Sequence, residues 1–239
     1  MLWPRVALAA LAGLLAALPL TWATLALERV IVGSDAGAEA LPEEQRVPPW
    51  KVPPRALALH GSLLVCGSVL LGALLFRSNW ETWTQGLALF YVLYVLAAVD
   101  VRTLKVETGL VLLALLARLA WVVAAHRDQA AAALLGALAG AGLISLSGLV
   151  YQRLRGRQGM GEGDAALLAL IGAFVGWQGI LPALLVAAAT GLMVGLAVLL
   201  ALRKPLSTPL PFAPFLCVGG LAAYVAQQWA GTGLGGWPG

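Results

Sequence analysis

The sequence predicts an all-α fold, a polytopic transmembrane helix bundle of about eight helices. Composition is the first reason: 61% of the 239 residues are hydrophobic and 11% are charged, with a mean hydropathy of +0.89, whereas soluble domains are roughly half apolar. The second is segmentation. Apolar runs close to the roughly 20 residues that a helix needs to cross a hydrocarbon core about 30 Å thick recur along the whole chain. The third is that the ionisable residues gather between those runs and are scarce inside them.

In chain order, the first run, 7–27, reads as a spanning helix. It is too long for the apolar core of a cleaved signal and continues into Glu28 and Arg29 without a small-residue cleavage pattern. The polar stretch from Glu28 to Arg55, with Pro42, Pro48, Pro49, Pro53 and Pro54, reads as an extended surface loop. Runs at 57–76, 83–101, 106–125 and 130–151 give the next four helices. The sixth, 163–178, is short and bounded by Gly163 and Gly179, so a tilted or half-buried helix is expected there, and seven is the alternative count. Runs at 180–202 and 211–229 complete the set. The chain thus reads as an N-terminal membrane region, 1–79, holding a loop at 28–56; a core, 80–230; and a Gly-rich tail, 231–239, expected to be disordered.

Several function classes drop out at this level. Cys66 and Cys217 each lie in an apolar run, no CxxC spacing occurs, and His60 and His126 are far apart. Neither a metal site, a disulfide framework nor a cofactor is expected. The sequence pI near 9.4 comes from basic residues dispersed among membrane loops, which points to membrane lipids rather than nucleic acid as partner. Trp50, Trp80, Trp83, Trp177 and Trp229, near helix ends, read as interfacial anchors. The i, i+4 pairs Gly136/Gly140 and Gly191/Gly195 suit close helix packing.

Loop charge orients the bundle. With the N-terminus outside, Arg29, Arg46, Lys51, Arg55, Arg102, Lys105, Arg153, Arg155, Arg157, Arg203 and Lys204 fall in cytoplasmic segments, eleven of the fifteen basic residues. The opposite orientation reverses that bias. In this topology Asp100 ends the third helix and Asp164 begins the sixth, both at the cytoplasmic side.

Among Asp, Glu, Lys and Arg, only Asp100, Glu107, Arg118 and Asp164 lie within or at the ends of otherwise apolar helices, where a charge is expensive and needs a reason. Two carboxylates at one depth can hydrolyse a peptide bond without metal, serine or cysteine, one acting as general base on a water and the other, protonated, polarising the carbonyl. Gly159-Met160-Gly161-Glu162-Gly163-Asp164 sets Gly159, Gly161 and Gly163 at every second position before the second aspartate. A backbone without side chains there lets a peptide pass close to the carboxylates. Glu162 reads as a solvated loop charge. Arg118, eleven residues after Glu107 and on the same helix face, reads as a structural partner of another polar group.

Three stretches resemble the prepilin leader peptidase family, the GxGD aspartyl proteases of type IV pilus and type II secretion systems: Ala97 to Leu104 around Asp100; Gly159 to Gln178 around Asp164; and Pro209 to Phe215. The resemblance covers roughly Trp80 to Tyr224. It implies Asp100 and Asp164 as the catalytic pair, Gly159, Gly161 and Gly163 as the motif that positions substrate, prepilin or pseudopilin substrates, and a multi-pass protein of the bacterial inner (cytoplasmic) membrane. The chain departs from the family at Glu107-Thr108, where a Pro-Asp or Pro-Asn pair is usual, and at Ala166, where Lys is usual. Its loop 28–56 carries none of the CxxC motifs that accompany N-methyltransferase activity in bacterial members, so methyl transfer is not expected.

The expected function is therefore an intramembrane aspartyl endopeptidase that removes the leader from type IV prepilin-like proteins at the cytoplasmic membrane face. Two other classes compete: a non-catalytic degenerate homologue acting as a pilus or secretion assembly partner, and a small transporter that couples ions through the two aspartates. A transporter would show inverted internal repeats, and none is visible in the sequence.

Overall fold

The computed structural model describes residues 4, 7–13, 15, 54–75, 78–103, 106–156, 161–201 and 211–231. Most of the polar loop, the segment 202–210, Gly159 and the tail beyond residue 231 lie outside these. The described residues form helices α1 (residues 7–13), α2 (Pro54–Leu74), α3 (Trp80–Thr103), α4 (Thr108–Ala125), α5 (Arg127–Arg155), α6 (Glu162–Ala201) and α7 (Ala213–Ala230). No strand occurs among them. Helices are what apolar sequence of this kind must form in lipid, because a helix satisfies its backbone hydrogen bonds within one segment. Four of them are long and apolar enough to cross a membrane: Trp80–Val101, Thr108–Ala125, Arg127–Arg155 and Glu162–Ala197.

The chain divides into two compact units, Met1–Leu104 and Lys105–Gly239. In the first, α2 and α3 pack through aromatic and polar side chains. A Cβ on Gly67 would meet the Phe90 ring, Ser68 shares a 3.0 Å hydrogen bond with the Tyr91 hydroxyl, and His60 Nδ1 lies 2.5 Å from the Tyr94 hydroxyl. Asn79 starts α3 by accepting a 2.7 Å hydrogen bond from the Thr82 N–H, the usual office of an N-cap amide. Trp83 is buried and stands edge-on to Trp80 at 5.4 Å. It is a core residue, not the interfacial anchor expected from its place near a helix end: one turn in from the exposed Trp80, it is already covered by its neighbours. Trp80, Trp177 and Trp229 are exposed.

In the second unit α4 and α5 meet at His126, which closes one helix and opens the next. α5 ends at the left-handed Gly156. The contact between α5 and α6 is made backbone to backbone: a Cβ on Gly136 would strike the Gly172 carbonyl, one on Gly172 the Gly136 carbonyl, and one on Gly140 the Leu168 carbonyl. The Gly136/Gly140 pair thus lines a close helix crossing of the small-residue kind.

α6 cannot be one straight rod. Its 40 residues would extend about 60 Å, twice the hydrocarbon thickness. At Gly176 the backbone leaves helical angles (φ 67, ψ 175), a region open essentially to glycine. The contacts with α7 show what this break does. Going up α7, Gly220, Tyr224 and Gln227 meet Ile171, Phe174 and Val175 of the first arm in rising order. Phe215, Gly219 and Gln227 meet Gly191, Ala183 and Gly179 of the second arm in falling order. The arms 162–175 and 177–201 are therefore antiparallel, folded back on each other at Gly176. They correspond to the expected sixth and seventh helices, with the break three residues earlier than Gly179.

Candidate active site

Asp100 lies near the C-terminal end of α3, in the first unit, and is 4% exposed. Its neighbours Leu96 and Val99 are buried as well, so the carboxylate is carried on the packed side of an apolar helix. Asp164 belongs to the second unit. It occupies the first turn of α6 with Glu162 and is half-buried, where the partial positive charge of a helix N-terminus favours a carboxylate. Its N–H donates to the Gly161 carbonyl at 3.2 Å, so the helix begins as a tight turn just behind the aspartate.

The glycines before Asp164 have unequal duties. Gly159 lies outside the described residues. Gly161 is exposed, and a Cβ there would come no nearer than 3.7 Å to the Asp164 carboxylate, ordinary contact. Gly163 is different: a Cβ would stand 2.6 Å from the Val106 Cβ and 3.2 Å from the Val106 carbonyl oxygen. The segment leading into α4 thus lies directly on the backbone beside Asp164, and only a residue without a side chain fits between them. Glu107, the next residue, is half-buried and caps α4 without a side-chain hydrogen bond to the helix. Ala166, at the position where the family usually has Lys, is half-buried on the same helix. Glu162 is exposed, as expected of a solvated charge.

Arg118 is buried at 5% exposure in the middle of α4. Its Nε donates to the Ala173 carbonyl at 3.3 Å and its guanidinium lies 4.4 Å over the Phe174 ring. A backbone carbonyl near the α6 reversal is thus one polar partner of Arg118. Sequence reasoning passed over Gln227, whose Nε2 donates to the Val175 carbonyl at 2.9 Å; the signal available was an amide in an otherwise apolar helix. Among the described residues no group of three His, Cys, Asp or Glu is placed to hold a metal ion.

The comparisons with known proteins bear on the same segment. Residues 87–196, which include Asp100 and Asp164, match the model of the type IV leader peptidase family. A prepilin leader peptidase/N-methyltransferase of Burkholderia pseudomallei (strain 1026b) is 33% identical over 159 residues, 66% of this chain and 52% of the relative. One of Dickeya chrysanthemi is 34% identical over 174 residues, 70% of this chain and 60% of the relative. A third, of Xanthomonas campestris pv. campestris, is 38% identical over 92 residues, 38% of this chain and 32% of the relative. The chain spans about half the length of the curated relatives it matches. No solved structure matches it. An all-helical chain with four apolar helices of spanning length, matched from α3 into the second arm of α6, belongs through that segment to the type IV leader peptidase family.

Proposed function

We propose that this chain is an intramembrane aspartyl endopeptidase of the bacterial inner membrane, cutting the leader from type IV prepilins or pseudopilins at the cytoplasmic face. The observation that carries the reading is that the family match includes both intramembrane aspartates, one of them directly behind the glycine motif. Asp100 and Asp164 act as a dyad. One carboxylate takes a proton from water as the water oxygen adds to the scissile carbonyl carbon, and the other, protonated, donates to the carbonyl oxygen. The tetrahedral intermediate then collapses, the C–N bond breaks, and the leaving amine takes up a proton from the dyad. Two neighbouring carboxylates hold one proton between them because both cannot be ionised at close range. Gly159, Gly161 and Gly163 leave room for an extended substrate backbone. The peptidase core runs over 80–230, and methyl transfer is not part of the reading.

The departures at Glu107-Thr108 and Ala166 favour one rival, a homologue that binds prepilins without cutting them. Co-expression with prepilin-like substrates, read by the mass of the substrate, separates the two. The wild-type chain is expected to shorten the substrate by its leader, and Asp100→Asn and Asp164→Asn each to abolish shortening while still accumulating in the membrane. Cleavage that survives either substitution removes the dyad; no cleavage by the wild type across several pilin-like substrates leaves the binding homologue.

A further inference from the structure

A helix that ends inside a membrane leaves its last four carbonyls without intrahelical partners, and hydrocarbon offers no donor to replace them. The first arm of α6 has this problem. From Glu162 to Val175 it reaches about 21 Å, short of a hydrocarbon core about 30 Å thick, and Gly176 then breaks the ladder. Two of its last four carbonyls are met by side chains from neighbouring helices. Arg118 of α4 donates to Ala173 at 3.3 Å, and Gln227 of α7 donates to Val175 at 2.9 Å.

Each donor is held to this task. The Arg118 guanidinium is fixed by the face of Phe174, 4.4 Å away, and the Phe174 ring stands edge-on to Tyr224 of α7 at 6.4 Å. The orientation of the Gln227 amide is fixed by its donor role, since turning it over would set its oxygen against the Val175 carbonyl. Its Oε1 is left buried with no hydrogen-bond partner in the described structure.

We propose that Arg118 and Gln227 are positioning residues that clamp the carbonyl end of the arm 162–175 and so set the depth at which Asp164, at its other end, sits in the membrane. The inference rests on the peptidase reading for its consequence in catalysis, but not for the clamp itself. An arm deprived of these donors finds its nearest substitute in the water beyond the far interface. It slides that way and draws its N-terminal turn out of the aqueous layer.

A labelling experiment tests the clamp without substrate. Glu162→Cys is placed in a chain whose Cys66 and Cys217 are replaced by alanine, and its alkylation by a membrane-impermeant maleimide is timed in vesicles. Arg118→Met and Gln227→Met are each expected to slow alkylation several-fold, and Arg118→Lys, which keeps a cationic donor, to restore most of the rate. A rate unchanged or raised in the Met variants overturns the proposal. Should Arg118→Met fail to accumulate in membranes, Gln227→Met decides alone. With cysteine-free chains that retain Glu162, the Met variants are expected to lose about 10²-fold in kcat per folded enzyme with KM unmoved, as displacement of a catalytic group by an ångström or so would produce. Activity lost only in proportion to folded protein marks a merely structural role and overturns the positioning claim. Slowed labelling in variants of a wild-type chain that cuts no prepilin would sink the peptidase reading and leave the clamp standing.

Discussion

Gly163 is the residue whose place beside Asp164 is most tightly fixed by contact, and the contact is with Val106. Alanine at 163 puts a methyl 2.6 Å from the Val106 Cβ, so either the segment before α4 or the first turn of α6 must shift. Overpacking of this kind costs about 1–3 kcal/mol. A shift of about an ångström at a catalytic group costs about 10²-fold in rate, so Gly163→Ala is expected to cut prepilin cleavage on that scale. Val106→Gly in the same chain removes the obstructing side chain and is expected to recover much of the loss. Recovery absent from the double variant, measured by initial cleavage rates, would show that Gly163 serves through something other than this contact. At this scale the sequence marked Asp100, Asp164 and the glycine motif, because charge and glycine in apolar surroundings stand out. It did not mark Val106 as the reason for Gly163, since a residue far away in the chain supplies the obstruction. Arg118 was legible as a buried cation needing a partner, but one polar partner is a carbonyl freed by a backbone break, and no side chain announces that.

Among the elements, α6 carries the decisive feature. Sequence patterning separated a short sixth helix from the seventh, yet placed the boundary at Gly179, where the structure reverses at Gly176. Both glycines flank Trp177-Gln178, and hydrophobic periodicity cannot say which of two nearby glycines leaves helical angles. The structure distinguishes them physically. Gly176 takes a backbone conformation that side chains resist (φ 67, ψ 175), whereas Gly179 is close-packed: a Cβ there would stand 2.5 Å from the Val175 Cβ and 2.7 Å from Gln227 Nε2. Gly176→Ala is therefore expected to destabilise through backbone strain of about 1–3 kcal/mol. The strain acts at the reversal that holds the two arms antiparallel. The measurement is thermal stability of the purified protein in detergent, with Ala173→Gly, in the adjoining helical turn, as control. Ala173→Gly keeps the reversal's backbone angles and loses helix propensity, about 1 kcal/mol, together with one fully buried methyl. A Gly176→Ala protein as stable as the wild type would mean that the reversal tolerates other angles.

For the molecule as a whole, orientation is the property on which the proposed chemistry depends, and α5 reports it directly. Its 29 residues extend about 44 Å, longer than the hydrocarbon core, so Arg127 and Arg155 at its two ends both reach the aqueous layers; both are exposed. Because α5 and the first arm of α6 run antiparallel through the Gly136 and Gly140 contacts, the Arg155 end shares a side with Asp164. The positive-inside bias of the loops favours the cytoplasm for that side. Arg127→Cys and Arg155→Cys, each made alone in a chain with Cys66 and Cys217 replaced by alanine, separate the two faces. In intact cells an impermeant maleimide is expected to label the Arg127→Cys chain and spare the Arg155→Cys chain; in inverted vesicles the pattern is expected to exchange. Labelling of the Arg155→Cys chain from outside intact cells would turn the bundle over. It would place Asp164 on the face away from newly made prepilins, whose leaders are presented in the cytoplasm, and the proposed cleavage would lose its substrate whatever the geometry of the aspartates.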